Sequence, residues 1–597
     1  MKRICLWIVP LLLLIPLSGA AQTVTGAVRG IITDPSGAIV PNATVIAVNT
    51  QTGVATEGKT NQAGEYSIRF LQIGQYKLNV EVAGFAKTSI GPFALEIDQT
   101  AKIDVKLTVG STTTTVDVSE QMQPIMNTEN ATLGETFTEN TINNIPLNGR
   151  DFSQLTVFTP GAVATNYGTF GTMTSTERDT GGDAVNINGN RQQQNNYLLD
   201  GQEINENINN TIGYTPSPDM LGQIRIVSSN ANAEFGNVNG GAVLMVTKSG
   251  TNHFHGSIFG FLQNYNLDAN SWTNNYSNTP KNPYTQTIFG GTIGGPIFKD
   301  KLFFFMDYEG VRNHTGGQIT SSVAPAAFRN GDLSSLLNPN LTMTPGSNLP
   351  GPVIQLYNTQ NASGPVPYVN NQIPITNPVA KYLFGNPTAY PLPNHPATDL
   401  LGINNNFIGP NGTFLENDQG DVKIDWHIHQ SDIISARYSQ GYAQNGQTAD
   451  PLPVSFPSAS NYPDHLFTVD WTRTFSSAIV NQARASYARI RFNSGVTTDP
   501  SGIFGLTGNA LVGIPSQAQQ TAGFSQQNFS PTTSGVGTIS NFGANPTPEV
   551  FIDNVFEYAD NMTWQRGRHL FKFGAQVTRY QQNSFYPGNN GELGYMQ

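Results

Sequence analysis

Cysteine is all but missing from this sequence. Its single copy, Cys5, lies in an apolar N-terminal segment, so the rest of the chain can form neither a disulfide nor a thiolate metal site. Charge is scarce as well: Asp, Glu, Lys and Arg together make up 12% of residues, 30 of them basic and 41 acidic. A chain so poor in Lys and Arg offers no patch for a phosphate backbone, which argues against nucleic acid as a partner. No run of 18 apolar residues occurs beyond the N-terminus, so helical membrane spans are absent, and a bilayer could be crossed only by a closed β-barrel. No Walker-type loop, HExxH or GxSxG stands in a supporting context. The glycine-rich stretch 236–241 lacks the Gly-Lys-Ser/Thr that would cradle phosphate. No catalytic residue, metal ligand set or cofactor site is assigned.

What the chain does have is 60 glycines, 10% aromatics and many small polar residues, a composition suited to strands with one wet and one apolar face. At the N-terminus, Lys2 and Arg3 precede the apolar stretch 4–17 and the small residues Ser18-Gly19-Ala20-Ala21. This reads as a secretory signal peptide, residues 1–21, cleaved after Ala21 and too short to be a retained span. Cys5 leaves with it. Removing Lys2 and Arg3 also leaves 28 basic residues against 41 acidic ones.

Residues 22–108 read as a unit of their own. The segments 26–33, 43–49, 64–70, 74–82 and 101–107 are short alternating strands, with Asp34-Pro35-Ser36-Gly37 the clearest turn between them. Five or more strands without a helical period predict a β-sandwich. The pattern Val28, Gly30, Asp34, Gly37, Pro41, Ala43, Val45, Gly64, Tyr66, Gly74, Tyr76, Gly84, Phe85 resembles the carboxypeptidase regulatory-like domain. That family shares its fold with starch-binding-like modules and has no peptidase chemistry. A structural or docking module is the expectation, with glycan binding as the alternative.

A Thr-rich linker, 109–120, follows. Residues 121–250 then carry a series of short motifs: Asn148-Gly149-Arg150 within IPLNGRDF, LTVFTPG at 155–161, Asn188-Gly189-Asn190-Arg191, Asp200-Gly201 after YLL, Arg225 within IRIV, Ala233-Glu234-Phe235-Gly236, and a tight turn at Asn239-Gly240-Gly241 before an apolar strand 242–248. Each is a turn signal taken alone. The first six in this order, followed by that turn, resemble the plug of TonB-dependent outer-membrane receptors, and most closely the Oar-like group. The residues themselves are compatible with a compact mixed α/β domain with a helix at 138–145. The resemblance implies an energy-coupling box before the plug, and Thr115-Val116-Asp117-Val118 is the only segment in that position. Arg191 and Arg225 are expected to pair with acids where plug meets barrel.

From 251 to 597 the pattern changes. In DVKIDWHIH, Asp421, Lys423, Asp425, His427 and His429 point one way, and Val422, Ile424, Trp426 and Ile428 the other. That strict period of two is what a strand between lipid and water requires. Further hairpins pair 287–295 with 302–312 and 555–564 with 570–580. About nine strands are expected from 255 to 580, and GGPIFKDKLFFF at 294–305 again resembles Oar-like barrels. The long polar stretches 314–420 and 493–548 suit the outer loops of such a barrel. His253 and His255, like His427 and His429, share a strand face at i, i+2, but two imidazoles fall short of a metal set.

Strands spaced ~4.8 Å and tilted roughly 40° would close nine into a radius of only about 9 Å. A 130-residue plug has a radius of gyration near ~14 Å, so further barrel strands are expected beyond this sequence. The expected fold is thus mainly β: signal peptide, N-terminal β-sandwich, mixed α/β plug and part of an antiparallel transmembrane β-barrel. The resemblance implies a receptor in the outer membrane, in contact with its lipids. It would bind an unknown extracellular ligand and import it by plug displacement, driven through the periplasmic energy-coupling protein of an inner-membrane complex. The rival readings are an adhesin or assembly protein on the same scaffold, and a glycan-uptake receptor whose N-terminal module binds carbohydrate.

Overall fold

A computed structural model describes residues 24–110, 115–118, 132–164, 185–207, 210, 212–232, 234–236, 239–343, 349–515, 519, 521–529, 538–544, 549–567, 569–585 and 595–596. The expected signal peptide lies outside the described residues.

The first unit is a sandwich of two sheets. One joins β1 (Gly26–Thr33), β4 (Glu65–Leu71), β7 (Thr100–Lys102) and β8 (Val105–Lys106). The other runs β3-β2-β5-β6-β9, with β2 at Thr44–Asn49, β3 at Ala55–Lys59, β5 at Gly74–Glu81, β6 at Lys87–Leu95 and β9 at Thr115–Val118. Alternating residues such as Val28, Ile32, Val45, Leu78, Val80 and Leu95 meet between the sheets. Tyr66 donates its hydroxyl to Ile103 O at 2.7 Å, and burial pushes that phenol's pKa up. The Asp34 turn forms as read, its carboxylate accepting from Ser36 N and Ala38 N. Two strands escaped the sequence: β3 (ATEGK) has no apolar period, and β6 is interrupted by Gly91-Pro92. The segment read as linker contributes β9, which pairs parallel with β6.

The inner domain follows, with a mixed sheet in the order β10-β15-β16-β13-β14. Its strands are β10 (Leu133–Thr138), β13 (Asn196–Leu199), β14 (Gln202–Glu203), β15 (Leu221–Ser229) and β16 (Ala242–Thr247), beside the small hairpin of β11 (Ala162–Ala164) and β12 (Val185–Ile187). Helix α1 (Glu139–Asn144) lies where a helix was expected, burying Ile142. β16 is apolar from Ala242 to Val246 because both its faces are covered. Val243 and Met245 enter the inner domain's core, whereas Ala242, Leu244 and Val246 pack with Val24 and Ile97 of the sandwich. Gly240 and Gly241 bend the chain into β16, but neither has a positive φ. Close approach is what demands glycine there: a Cβ on Gly240 would strike Asn195 and the Gln194 carbonyl, and one on Gly241 would strike Ile187.

The third unit is a nine-stranded antiparallel sheet in sequential order, as many strands as expected among the described residues. They are β17 (His255–Asn264), β18 (Tyr284–Phe298), β19 (Leu302–Ser321), β20 (Phe407–His429), β21 (Asp432–Ala449), β22 (Ser458–Ser476), β23 (Ile479–Thr497), β24 (Glu549–Arg566) and β25 (His569–Phe585). β17 and β25 are its edges, so the sheet is open. The alternation in β20 holds: Asp421, Lys423, Asp425 and His427 are buried on the inner face, and Trp426 is exposed on the outer. Several strands run far past the ~10 residues that cross a membrane. The expected loops at 314–420 and 493–548 therefore shrink to 322–406 and 498–548. Pro410, Asn411 and Gly412 disguise the start of β20. Pro410 is tolerated because the strand is paired there on the β19 side alone; pairing with β21 begins at Gly412.

Tight turns at 299–301, 430–431 and 477–478 close the sheet at the sandwich end. At the other end the long connections are folded against one another, which the polar composition concealed. Val323, Val379, Leu383 and Tyr390 from one connection meet Phe456 from a second and Phe504, Phe524 and Phe542 from a third. Phe504 lies 5.4 Å from Phe456 and 5.1 Å from Phe524, ring centre to ring centre. Arg329 ties this cap together, donating to the carbonyls of Ala324, Tyr390 and Pro391.

Candidate functional site: the seat of the inner domain

The inner domain is held against the inner face of the sheet by a buried polar network. At its centre is the β13–β14 turn. Asp200 (φ 50°) and Gly201 (φ 80°) adopt the left-handed conformation that an Asp-Gly pair permits. Asp200 accepts from Thr247 N at 3.0 Å and Thr247 Oγ1 at 2.7 Å, which ties the turn to β16. The same carboxylate takes Arg437 Nε of β21 at 2.9 Å and stands 3.7 Å from Lys423 Nζ of β20. Burial raises the Asp200 pKa, but the two cations and the Thr247 bonds outweigh it and hold the carboxyl below its ordinary range. Arg437, 2% exposed, also reaches Gln202 Oε1 at 2.8 Å and Leu199 O at 3.2 Å. Next along the wall, Arg484 donates to Gly201 O at 2.8 Å while pairing with Asp470 at 2.8 Å.

A second cluster lies beside the first strands of the sheet. Arg150 pairs with Asp219 of its own domain and with Glu309 of β19 at 3.0 Å, and its guanidinium covers the rings of Phe259 and Phe261. Ser217 donates to Glu309 at 3.1 Å, and Tyr214 to Asp421 at 2.7 Å. Toward the far edge, Tyr580 donates to Glu203 and Lys572 pairs with Glu234.

The sequence motifs divide accordingly. Gly149, Asn188 and Gly189 make turns with positive φ, at 63°, 53° and 76°. Asn148 shares the first turn's 3-10 helix with Gly149 and Arg150, and Asn188 donates to Ser228 O. Phe235 is buried beside β16, and Gly236 has open space around it. Arg191 is exposed, and Arg225 faces the sandwich, 3.9 Å from Asp98; neither takes the place expected at the plug–barrel wall. Lys423 and Arg437 complete the seat; the alternation of DVKIDWHIH puts Lys423 on the inner face but gives it no partner, and Arg437 carries no signal, each lying more than 200 positions from Asp200. His427 is buried edge-on to Phe303 while His429 is exposed. His255 is stacked on Phe305, next to an exposed His253. Among the described residues, no three potential ligands come together for a metal ion.

Residues 246–597 match the family model of the outer membrane beta barrel domain. The chain belongs to that family. Within this barrel-family protein, residues 27–108 match the carboxypeptidase regulatory-like domain, in agreement with the sandwich. A curated relative, the TonB-dependent transporter Oar of Myxococcus xanthus, is 27% identical over 348 residues, 55% of this chain and 30% of the relative. The chain thus spans about a third of that relative's length. Among solved structures, the outer membrane transporter YddB of Escherichia coli aligns with a TM-score of 0.46 at 11% identity, covering 76% of this chain and 48% of that one. A mutant of the ferric enterobactin receptor of Pseudomonas aeruginosa aligns with a TM-score of 0.37 at 13% identity, covering 75% and 49%.

The barrel-family chain also carries its sandwich close beneath the inner domain. Ile97 N donates to Gln223 at 3.0 Å, Gln72 Nε2 donates to Asp425 at 3.0 Å, and Asn252 Nδ2 donates to Thr52 O at 2.7 Å. Between sandwich, inner domain and sheet lies a cavity of about 840 Å³ bordered by Gln72, Asp200, Lys248 and Arg437. Asp98 sits at this junction, and burial, reinforced by the nearby charge of Glu234, raises its pKa from 3.8 to about 6 against the opposing pull of Arg225 and Lys572. A carboxyl that binds its proton more tightly when docked favours docking at low pH. Its contribution is complete below the undocked value and lost as pH rises through about 6. Deuterium uptake at residues 96–99, corrected for intrinsic exchange, is expected to climb between pH 4 and 7. In Asp98→Asn it should stay level; a climb that persists in the variant would assign the effect to another group.

Proposed function

We propose that this chain is a TonB-dependent receptor of the outer membrane whose inner domain is a plug, and that it imports an extracellular ligand by energised displacement of that plug. The observation that carries this reading is the seat: Asp200, Gln202 and Gly201 are bound to Lys423, Arg437 and Arg484 through charged and hydrogen-bonded contacts. Such contacts can be exchanged for water, so the domain can leave and return as a unit. In this reading the export signal is cleaved after Ala21. Residues 121–250 form the plug, 109–120 link it to the sandwich and lend the latter the edge strand β9, and 251–597 build the barrel wall. Thr115–Val118 receives the periplasmic energy-coupling protein, and no residue acts as a catalyst. The sandwich serves as a docking module. Its five aromatics, Tyr66, Phe70, Tyr76, Phe85 and Phe93, are buried or half-buried, which leaves no exposed ring for sugar stacking.

A lock tests displacement. Ser257 Oγ of β17 donates to Asp219 Oδ1 of the inner domain at 3.3 Å, so the two side chains face each other across the seam where a Ser257→Cys, Asp219→Cys pair is to be joined. Cys5, the single cysteine of this sequence, lies in the expected leader, so residues 22–597 add no thiol to the engineered pair. Compounds that receptor-bearing cells deplete from the medium should remain when the bond is closed, and be consumed again after reduction. Uptake that continues with the bond formed would refute plug displacement. The folded outer cap favours a second reading, a surface-binding protein on the same scaffold, and the lock would leave such adhesion unchanged.

A further inference from the structure

Asp307 of β19 and Asp421 of β20 stand directly opposite each other in register, both turned inward. They are 8% and 3% exposed. Among the described residues, neither oxygen of Asp307 has a hydrogen-bond partner, nor has Oδ1 of Asp421. Like charges facing each other across two strands repel, and a buried carboxylate without donors is costly.

The surrounding groups relieve Asp421 in part, through Arg437 and Tyr214, but not Asp307. On β19, Glu309 is taken by Arg150 and Ser217, and Asp219 of the inner domain is taken by Arg150 as well. On β20, Lys423 turns to Asp200 and to Thr247 O. On β21, Arg437 is bound to Asp200 and reaches Asp421 Oδ1 at 3.9 Å, and from β18 the residue opposite Asp307 is Thr292. Tyr214 donates to Asp421 Oδ2 and covers the pair from the inner domain. Among the described residues no cation reaches Asp307, and two carboxylates supply too few oxygens for a hard metal ion. One proton resolves the arrangement: Asp307 as a neutral acid can donate to Asp421 Oδ1, giving both unpartnered groups a bond.

We propose that Asp307 and Asp421 form a proton-binding latch: they share one proton while the inner domain is seated and release it to water when that domain leaves. The release step rests on the plug reading above. Departure removes Tyr214 and wets the pair, so both carboxyls ionise. The seated state then holds one proton more than the open state, and opening becomes easier as pH rises.

The test uses the full-length receptor in planar bilayers, with pore opening driven by a fixed concentration of urea between pH 5 and 8. This equilibrium needs no energised import, so it stands or falls separately from the disulfide lock. The slope of wild type should exceed that of Asp307→Asn by roughly ten-fold in opening per pH unit, the share of one proton. Asp307→Asn, whose amide can donate to Asp421, should show no slope from this pair. Should that variant fail to insert, Asp421→Asn serves instead, because its amide can hold an ionised Asp307. The infrared difference between wild type and Asp421→Asn should then contain a neutral carboxyl band that disappears on opening. A wild-type slope retained in either variant, or no such band, would overturn the latch.

Discussion

Replacing Arg437 by alanine is expected to loosen the seated inner domain by at least a hundred-fold. The guanidinium is 2% exposed and bonds Asp200, Gln202 and the Leu199 carbonyl at once. Removing one partner of a buried pair costs about 3–5 kcal/mol, because the other charge stays behind uncompensated. Lys423, 3.7 Å from the same carboxylate, keeps part of the balance, which places the loss near the lower bound. About 3 kcal/mol corresponds to somewhat more than a hundred-fold in an equilibrium constant. Pore opening in urea reads this directly. Adding Asp200→Asn to the variant should restore part of the loss, since the orphaned charge is then gone. Opening unchanged in Arg437→Ala would show that the seat does not depend on this guanidinium.

The largest effect on stability is expected away from the seat, in Phe504→Ala. Phe504 is 1% exposed and stands among Phe456, Phe524 and Tyr382. Truncating a buried Phe costs about 3–5 kcal/mol, and here it removes a ring that joins three connections separated by long stretches of chain. Limited proteolysis should therefore cut between 322 and 406 and between 498 and 544 in the variant, while β19 to β25 stay intact. Equal resistance in variant and wild type would mean that the cap does not depend on this ring.

These two residues also mark where the sequence stopped being readable. Strand alternation places Asp421, Lys423 and Asp425 on the inner face because the period of two is local and both environments enforce it. What each inner residue meets is not local. The Asp200-Gly201 pair reads as a turn, and it is one, yet nothing near it announces the two cations supplied by distant strands. Arg225 was expected at the barrel wall; the fold turns β15 so that it meets Asp98 of the sandwich. The outer connections hid their core for a different reason. Phe456, Phe504, Phe524 and Phe542 are scattered among Asn, Pro and Gly without any period, so only their assembly shows that they belong together. At Gly240 the expected glycine is required, though by crowding from Asn195 and Gln194 rather than by a left-handed turn.

The length of β19 and β20 has a spatial consequence. At ~3.3 Å per residue and a tilt near 40°, 20 to 23 residues climb roughly 50–58 Å. The apolar band of an outer-membrane barrel is about 25 Å tall. About half the length of β19 and β20 therefore lies outside that band, and the cap is carried at one end of these long strands. Height above the lipid is set by hydrogen-bonded strands, so whatever docks there approaches from open solvent and not along the membrane plane.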